Sequence, residues 1–457
     1  MSVSIPDGVL TPISSTKEMY QGRMDYFSNR RDFLKCSGLA LAVTPFVAQT
    51  PAAAFLKAFE LDMNELPPWT PGLLDIHHIS TGRGSCAFAV CPDATTLMID
   101  AGSTLSHFEP ARDKYLIDPR PDDSRRSGEW IARYVQRCLD QAKRQEIDYF
   151  LLTHFHTDHM GEIAPGDLAM SPKSKYGDYQ LGGLTDVAEV INIRKIIDRN
   201  YPDYDYPVPH TSAQDLNYQT FGRSFRKRGG ITERIVPGSS TQIRLTQDPN
   251  RFPTFSVRNL AANGEVWNGQ GNQSSQHFPP LDTLSLQDYP SENKCSLAIR
   301  LGYGEFSYFS AGDMDHEIEY GHLPWGDIES IVARASGPVE IAVADHHGYV
   351  DACGPDWVRA LRANVYVINA WDSAHPTLGS LNNMLSTELY PGPRMVFSTA
   401  MKPENVIATR RIREFASQNG HVIFRVAAGG NSYEIFVRDS STESGGIVAH
   451  FGPFICR

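Results

Sequence analysis

Four side chains able to bind a metal fall within six positions of this chain: His154, His156, Asp158 and His159, in LLTHFHTDHMG at 151–161. Neutral imidazole and carboxylate are good ligands for zinc, iron and manganese. His154 and His156 stand at i and i+2, and in a loop leaving a strand that spacing can aim both rings at one point. Asp158 and His159 fall on the following turn, where they can reach a second point a few ångströms away. Two cations roughly 3.5–4 Å apart share a hydroxide, lower its pKa and hold an incoming anionic group, which makes a hydrolytic device. The rival reading is a histidine-rich surface loop. Against it stands the apolar run IDYFLLT at 147–153, which delivers the cluster straight from a buried strand.

Other elements must bring partners to that loop. Residues 73–102 read as LDIHHIS, a GRGS turn, CAFAVC, a PDAT turn and TLMIDAG: three strands, the last ending in Asp-Ala-Gly. An amphipathic helix is predicted from about Gly128 to Arg144. Residues 185–202 predict a helix or a strand plus helix. Residues 201–290 are rich in Tyr, Pro, Asn and Gln and too long for a simple connection, so they predict an inserted lid or subdomain. CSLAIRLGYGEFSYFSAGD (295–313) reads as a hairpin, PVEIAVADHHG (338–348) as a strand ending in two histidines, and NVYVINAWDSAHP (364–376) as a strand ending near a third. A helix at 403–418 and the strands HVIFRVA and SYEIFVR follow. Two β-rich halves, each followed by helices, suit two sheets packed together with helices outside.

THFHTDHMG resembles the HxHxDH motif of the metallo-β-lactamase superfamily. MIDAG (98–102), SAGDM (310–314), ADHHG (344–348) and AWDSAHP (370–376) resemble further family elements in the same order, so the likeness spans about residues 73–400. NKCSLAIRLGYGEFSYFSAGD, HHG and LDIHHISTGRGS are most similar to the C-terminal domain of competence DNA-uptake proteins and related phosphoesterases, with Ser85 where an aspartate is common. The resemblance implies an α/β fold, the four-layer αββα sandwich, with residues 55–457 as one domain. It implies two zinc ions, with manganese or iron as alternatives. One would be held by His154, His156 and Asp313, and the other by Asp158, His159, the bridging Asp313, and His346 or His347. His346, closer to its strand end, is the preferred one of that pair. Where most relatives supply another histidine this chain has Asn293, so Asn293, a water, His277, His316 or His322 would complete the first site.

The resemblance also gives His375 a part in catalysis, as proton donor or oxyanion partner, beside a proton-handling Asp158; a plain loop histidine is the equal alternative. Asp100 is expected to hold the histidine loop by hydrogen bonds rather than to bind metal. His77 and His78, adjacent on the first strand, are expected to point to opposite faces and to be structural. Around 201–228, Tyr201, Tyr204, Tyr206, Tyr218, Phe221 and Phe225 with Arg223, Arg226, Lys227 and Arg228 could stack an aryl or base group, or simply pack as a lid. The expected activity is a metal-activated hydroxide attacking a small phosphoester or phosphodiester. A lactone or β-lactam is the runner-up, and a non-catalytic binding domain the alternative from another class.

NRRDFLKCSGLALAVTPFVAQTPAAA at 29–54 has a charged front, an apolar middle and an Ala-x-Ala end, the layout of an export signal. Its RRxFLK order resembles the twin-arginine signal, which implies passage through the twin-arginine machinery to the periplasm or beyond, already folded. Cleavage after Ala54 removes five basic and four acidic residues and takes the net charge from −11 to −12. That balance disfavours extended nucleic acid or an anionic membrane surface as partner. No apolar run after the signal approaches the ~20 residues that span a bilayer, so no stable membrane insertion is expected after cleavage. The remaining cysteines show no metal-site spacing and are expected to be isolated buried thiols. Replacing both signal arginines, Arg30→Lys with Arg31→Lys, is expected to strand the protein in the cytoplasm, as fractionation would show; unchanged export would discard the signal.

Overall fold

Among the described residues the apolar runs become seventeen strands in two sheets. The structure, a computed structural model, describes residues 65–105, 114–316 and 321–457; the expected signal at 1–54 lies outside them. The first sheet contains β1 (Leu74–His78), β2 (Ala87–Val90), β3 (Thr96–Ile99), β4 (Glu146–Leu151), β5 (Asn192–Asp198), β6 (Ile231–Arg234), β15 (His421–Val426), β16 (Ser432–Arg438) and β17 (Ile447–Ile455), in the order 17-16-15-1-2-3-4-5-6. The second contains β7 (Phe255–Ala262), β8 (Glu265–Trp267), β9 (Ser274–Gln276), β10 (Ala298–Tyr303), β11 (Phe306–Ser310), β12 (Ile341–Val343), β13 (Val365–Ile368) and β14 (Met395–Ser398), in the order 14-13-12-11-10-7-8-9. Strands β3 to β6 run parallel, and so do β11 to β14.

The sheets pack face to face. Leu74, Ile76, Leu97 and Leu151 from the first meet Val257, Leu301, Ile341 and Val367 from the second in one apolar cluster. Each large aliphatic side chain removed from water there contributes about 1.5–3 kcal/mol. Helix α1 (Ser127–Gln141) carries Ile131, Val135 and Leu139 at four-residue steps, one buried stripe against Phe88, Met98 and Phe150. The short helix α2 (Thr157–Met160) lies in the histidine loop itself. Helices α3 (Leu184–Val190) and α4 (Ala213–Lys227) cover the same outer face as α1. Helices α5 (Ile328–Ser336), α6 (Pro355–Leu361) and α7 (Leu378–Met384) cover the outer face of the second sheet through Val332, Trp357 and Leu381. The result is the expected four-layer αββα sandwich. Among the described residues no helix is long and apolar enough to cross a membrane.

Several expectations shift. Residues 201–290, expected as an inserted loop-rich lid, also carry regular elements: α4, the edge strand β6 of the first sheet and three strands of the second. β6, β8 and β9 have only three or four residues each, so the Asn, Gln and Gly content around them hides them, whereas β7 has eight and is largely buried; the part around 208–215 lines the pocket as a lid would. The helix at 403–418 stops at Ala408 (α8, Pro403–Ala408) and tightens into a 3₁₀ turn, Arg410–Glu414. His77 and His78 do point to opposite faces, yet both are buried because β1 is covered on both sides. His77 Nδ1 meets Tyr134 Oη at 3.0 Å on the helix side, and His78 Nδ1 meets Asn369 Oδ1 at 3.0 Å between the sheets. The described cysteines are free, all but Cys456 buried.

Parallel strands place their carboxyl ends on one edge, and there the histidine loop is pinned from below. Ser85, Ala101 and Ser103 donate backbone N–H groups to the carbonyls of Asp158, His159 and Thr157 at 2.8, 2.8 and 3.2 Å. Gly102 lies so close beneath that an added Cβ would stand 1.8 Å from the Asp158 carbonyl oxygen. Gly102→Ala is therefore expected to push the loop outward. The expected loss is ~1–3 kcal/mol of stability from overpacking, with a parallel fall in zinc content; denaturation curves and metal analysis check both.

Candidate metal centre

The centre is built from strand ends of both sheets. Asp100 follows β3, and the His154–His159 loop follows β4. Asp313 follows β11, the two histidines follow β12, and Asn369 follows β13. Asp158, His159, Asp313 and His347, all buried, each offer one ligand atom within a 4.8 Å circle. His154, His156 and Asp313 form a second such group. Asp313 belongs to both, as a bridging carboxylate must.

His347 rather than the preferred His346 closes the four-residue group. Its Nε2 lies 2.9 Å from Asp158 Oδ2 and 3.3 Å from Asp313 Oδ2. Counting from the strand end misleads because both histidines adopt left-handed backbone conformations, φ +43° and +55°, which turn the second ring inward. Neither His277, His316 nor His322 completes the first group. His316 Nδ1 is 3.4 Å from Glu329, His322 Nε2 is 3.7 Å from Asp288, and His277 is exposed.

Each buried imidazole is anchored at Nδ1. His159 donates to Asp100 Oδ2 at 2.7 Å, and His347 donates to the Asn369 carbonyl at 2.8 Å. Thr153 Oγ1 donates to Asp100 Oδ2 at 2.8 Å and lies 3.2 Å from His154 Nδ1. Anchoring at Nδ1 leaves the Nε2 lone pair facing the shared space. Asp100 thus takes the loop-holding role expected of it, and Thr153 extends it. The buried Nε2 atoms of His154 and His159 find no hydrogen bond of good geometry. Stranded polar atoms of this kind are expensive in a protein interior unless an ion satisfies them. With the mixed imidazole–carboxylate donor set, they fit divalent zinc, manganese or iron.

Without such an ion, protons do the compensating. Burial works against a charged His159, but Asp313, Asp158 and Asp100 hold it well above the usual histidine range. Burial likewise opposes a charged His347, and Asp313 with Asp158 brings it up to about 9. Despite burial, neighbouring His159 holds Asp158 and Asp313 well below the usual carboxylate range. Burial drives His154 well below its ordinary value. Burial, then His347, does the same to His375.

His375 is not where a proton donor to substrate was expected. It is buried, stacks on the His347 ring at 4.7 Å and 21°, and is absent from the lining of the pocket. That pocket, about 560 Å³, opens over the centre. Its walls are Phe155, Val208, Pro209 and Trp371 with His156, His210, Asn293 and His346; among the described residues no lysine or arginine lines it. Sequence reasoning missed Arg199. This buried residue pairs with both oxygens of Glu292, donates to Asn263 Oδ1 at 2.8 Å, and lies 5.1 Å from the Phe155 ring centre. Of the aromatics expected near a ligand, Tyr204, Tyr218 and Phe221 are buried packing around Asp198 and α4 instead.

Removing the Asp100 anchor should be felt at the cation. Asp100→Ala is expected to weaken zinc binding by ~10–100-fold, read by competition with a chromogenic chelator.

No family description and no curated protein matches this chain. Among solved structures it is similar to human tRNase Z, short form, at 10% identity and a TM-score of 0.26, over 64% of this chain and 91% of that one. It is similar to Zn²⁺-bound PqqB from Methylobacterium extorquens at 10% identity and a TM-score of 0.31, over 77% of this chain and 99% of that one. It is also similar to a diphosphatase of the PhnP family at 9% identity and a TM-score of 0.30, over 78% of this chain and 98% of that one. Scores this low leave the case for the centre on its own geometry.

Proposed function

We propose that this protein is an exported, metal-dependent hydrolase acting on a small phosphoester, with phosphodiesters preferred. The observation that carries the reading is Asp313, one carboxylate shared by two groups of ligand side chains. Cations held there supply Lewis acidity and water ionised near neutral pH. The chain's own residues do the rest. His154, His156, His159 and His347 present lone pairs from rings fixed at the far nitrogen or by their loop. Asp158, buried yet held ionised, is placed to orient and accept a proton at Oδ2. His375 steadies the His347 ring by stacking and acts as a positioning residue. Phe155, Val208, Pro209 and Trp371 offer apolar wall to an ester substituent and exclude water from one side.

The lining favours a diester over a monoester or a β-lactam. A phosphodiester carries one negative charge, which the cations can neutralise. A monoester or diphosphate carries more, and a β-lactam has a carboxylate to seat, yet among the described residues no lysine or arginine lines the pocket to receive either.

The test is a panel on the zinc-loaded or manganese-loaded protein: bis(p-nitrophenyl) phosphate, p-nitrophenyl phosphate, a lactone and a chromogenic cephalosporin. Diester turnover is expected to lead, to vanish on chelation, and to fall ~100-fold or more in His156→Ala, beyond the range of a lost positioning contact. Full metal occupancy with no turnover of any member would make the protein a binding domain instead.

A further inference from the structure

The first ligand group has three members where the second has four. We propose that His346 is the missing one: a third imidazole for the cation held by His154, His156 and Asp313. The proposal rests on the metal-binding reading above and assigns one more residue to it.

Three observations converge on His346. The first is its anchoring. Nδ1 lies 2.7 Å from Asp351 Oδ1, a carboxylate that can only accept, so Nδ1 carries the proton and Nε2 keeps its lone pair. His159 and His347 are arranged in the same way.

The second is where the free nitrogen stands. His346 Nε2 is 3.9 Å from Asp313 Oδ2, and His154 Nε2 is 3.9 Å from the same oxygen. That is about half an ångström wider than the ~3.4 Å ligand–ligand edge that ~2.1 Å bonds give a tetrahedral site. His346 is not in the group whose ligand atoms lie within 4.8 Å of one another, so its Nε2 would have to come closer to join His154, His156 and Asp313. The side chain is 19% exposed and its ring forms part of the pocket wall. Its Nε2 now faces Asn293 Nδ2 at 3.2 Å, an amide donor that a cation replaces. Asn293 Oδ1, buried without a partner, marks the polar gap between the two.

The third is backbone conformation. Left-handed geometry is unfavourable for a non-glycine residue, and the chain accepts it twice in succession, at His346 and His347. That reversal presents adjacent rings to different parts of the centre, one to each ligand group. Strain of this kind persists where surrounding contacts enforce it, and here the His346 amide is held on the Gly312 carbonyl at 3.2 Å, one residue before Asp313.

Zinc titration of the metal-free full-length protein against a chromogenic chelator tests the assignment, with circular dichroism as the fold check. The wild type is expected to take up two equivalents. His346→Asn, which tolerates the left-handed backbone but is too short to reach, should keep one equivalent at wild-type affinity and weaken the other at least ~10-fold. Asp351→Asn should weaken the same equivalent less, and Asn293→His in the His346→Asn background should restore it. His347→Asn should weaken the opposite equivalent. If the wild type takes up no zinc, the metal-binding reading itself falls. If the wild type takes two and His346→Asn also takes two at unchanged affinity, the reading stands and the assignment of His346 is overturned.

Discussion

Thr153 and Gly312 form the seam on which the centre depends. One belongs to the first sheet and the other to the second, and they touch: a Cβ on Gly312 would stand 2.8 Å from the Thr153 Cβ. The Leu297 amide donates to the Thr153 carbonyl at 2.9 Å across the same gap. Only this closeness lets Asp313, carried by the second sheet, reach imidazoles carried by the first. The sandwich is therefore more than a platform for the site. Its inter-sheet spacing at one edge sets the distance between ligands, and packed cores change such spacings in discrete steps rather than by smooth deformation.

The seam also poses an electrostatic problem. Asp100, Asp158 and Asp313 are buried together, and unpaired carboxylates in such a place would oppose folding. Imidazoles beside them resolve it in either of two ways. In the absence of a cation, His159 and His347 hold protons that balance Asp158 and Asp313. With cations bound, the same nitrogens give up those protons and metal charge takes over the balance. Because both states are compensated, the chain can fold first and bind metal afterwards, which suits a protein whose function reading includes export in the folded state.

Much of this was legible because ligand chemistry is local. HFHTDH states its ligands within six positions, and Asp313 is marked by the glycine that lets its strand end approach the other sheet. The four layers followed from apolar runs alternating with amphipathic helices. What escaped was information held in backbone turns and single polar residues. Two left-handed residues after β12 exchange the roles that strand counting gives His346 and His347. Asn369, Asp351 and Arg199 hold the site together, yet each is one residue without a motif, and the partners of Asn369 and Arg199 lie 22 and 93 positions away. Within 201–290, β6, β8 and β9 escaped because three or four residues each are too few for an alternation to show. The export signal belongs to residues that the structure does not describe, so it stands on the sequence alone.

Selectivity and metal binding are joined through Glu292. Its Oε1 accepts the backbone N–H of Phe155, between the two histidines of the first group, at 2.8 Å. The same carboxylate is gripped by Arg199, whose other donors reach the Tyr206 carbonyl at 3.1 Å and His210 Nε2 at 3.2 Å, on the segment that overhangs the pocket. Burial resists the ionised form, but Arg199 keeps Glu292 below the usual carboxylate range, so the link persists as an ion pair. Any change that reshapes the 206–210 wall to admit another substituent pulls on Arg199, then on Glu292, then on the loop that aims His154 and His156. A wall wired to the ligands in this way lets substrate shape be felt at the cation, and it restricts how far the pocket can vary while the centre stays assembled.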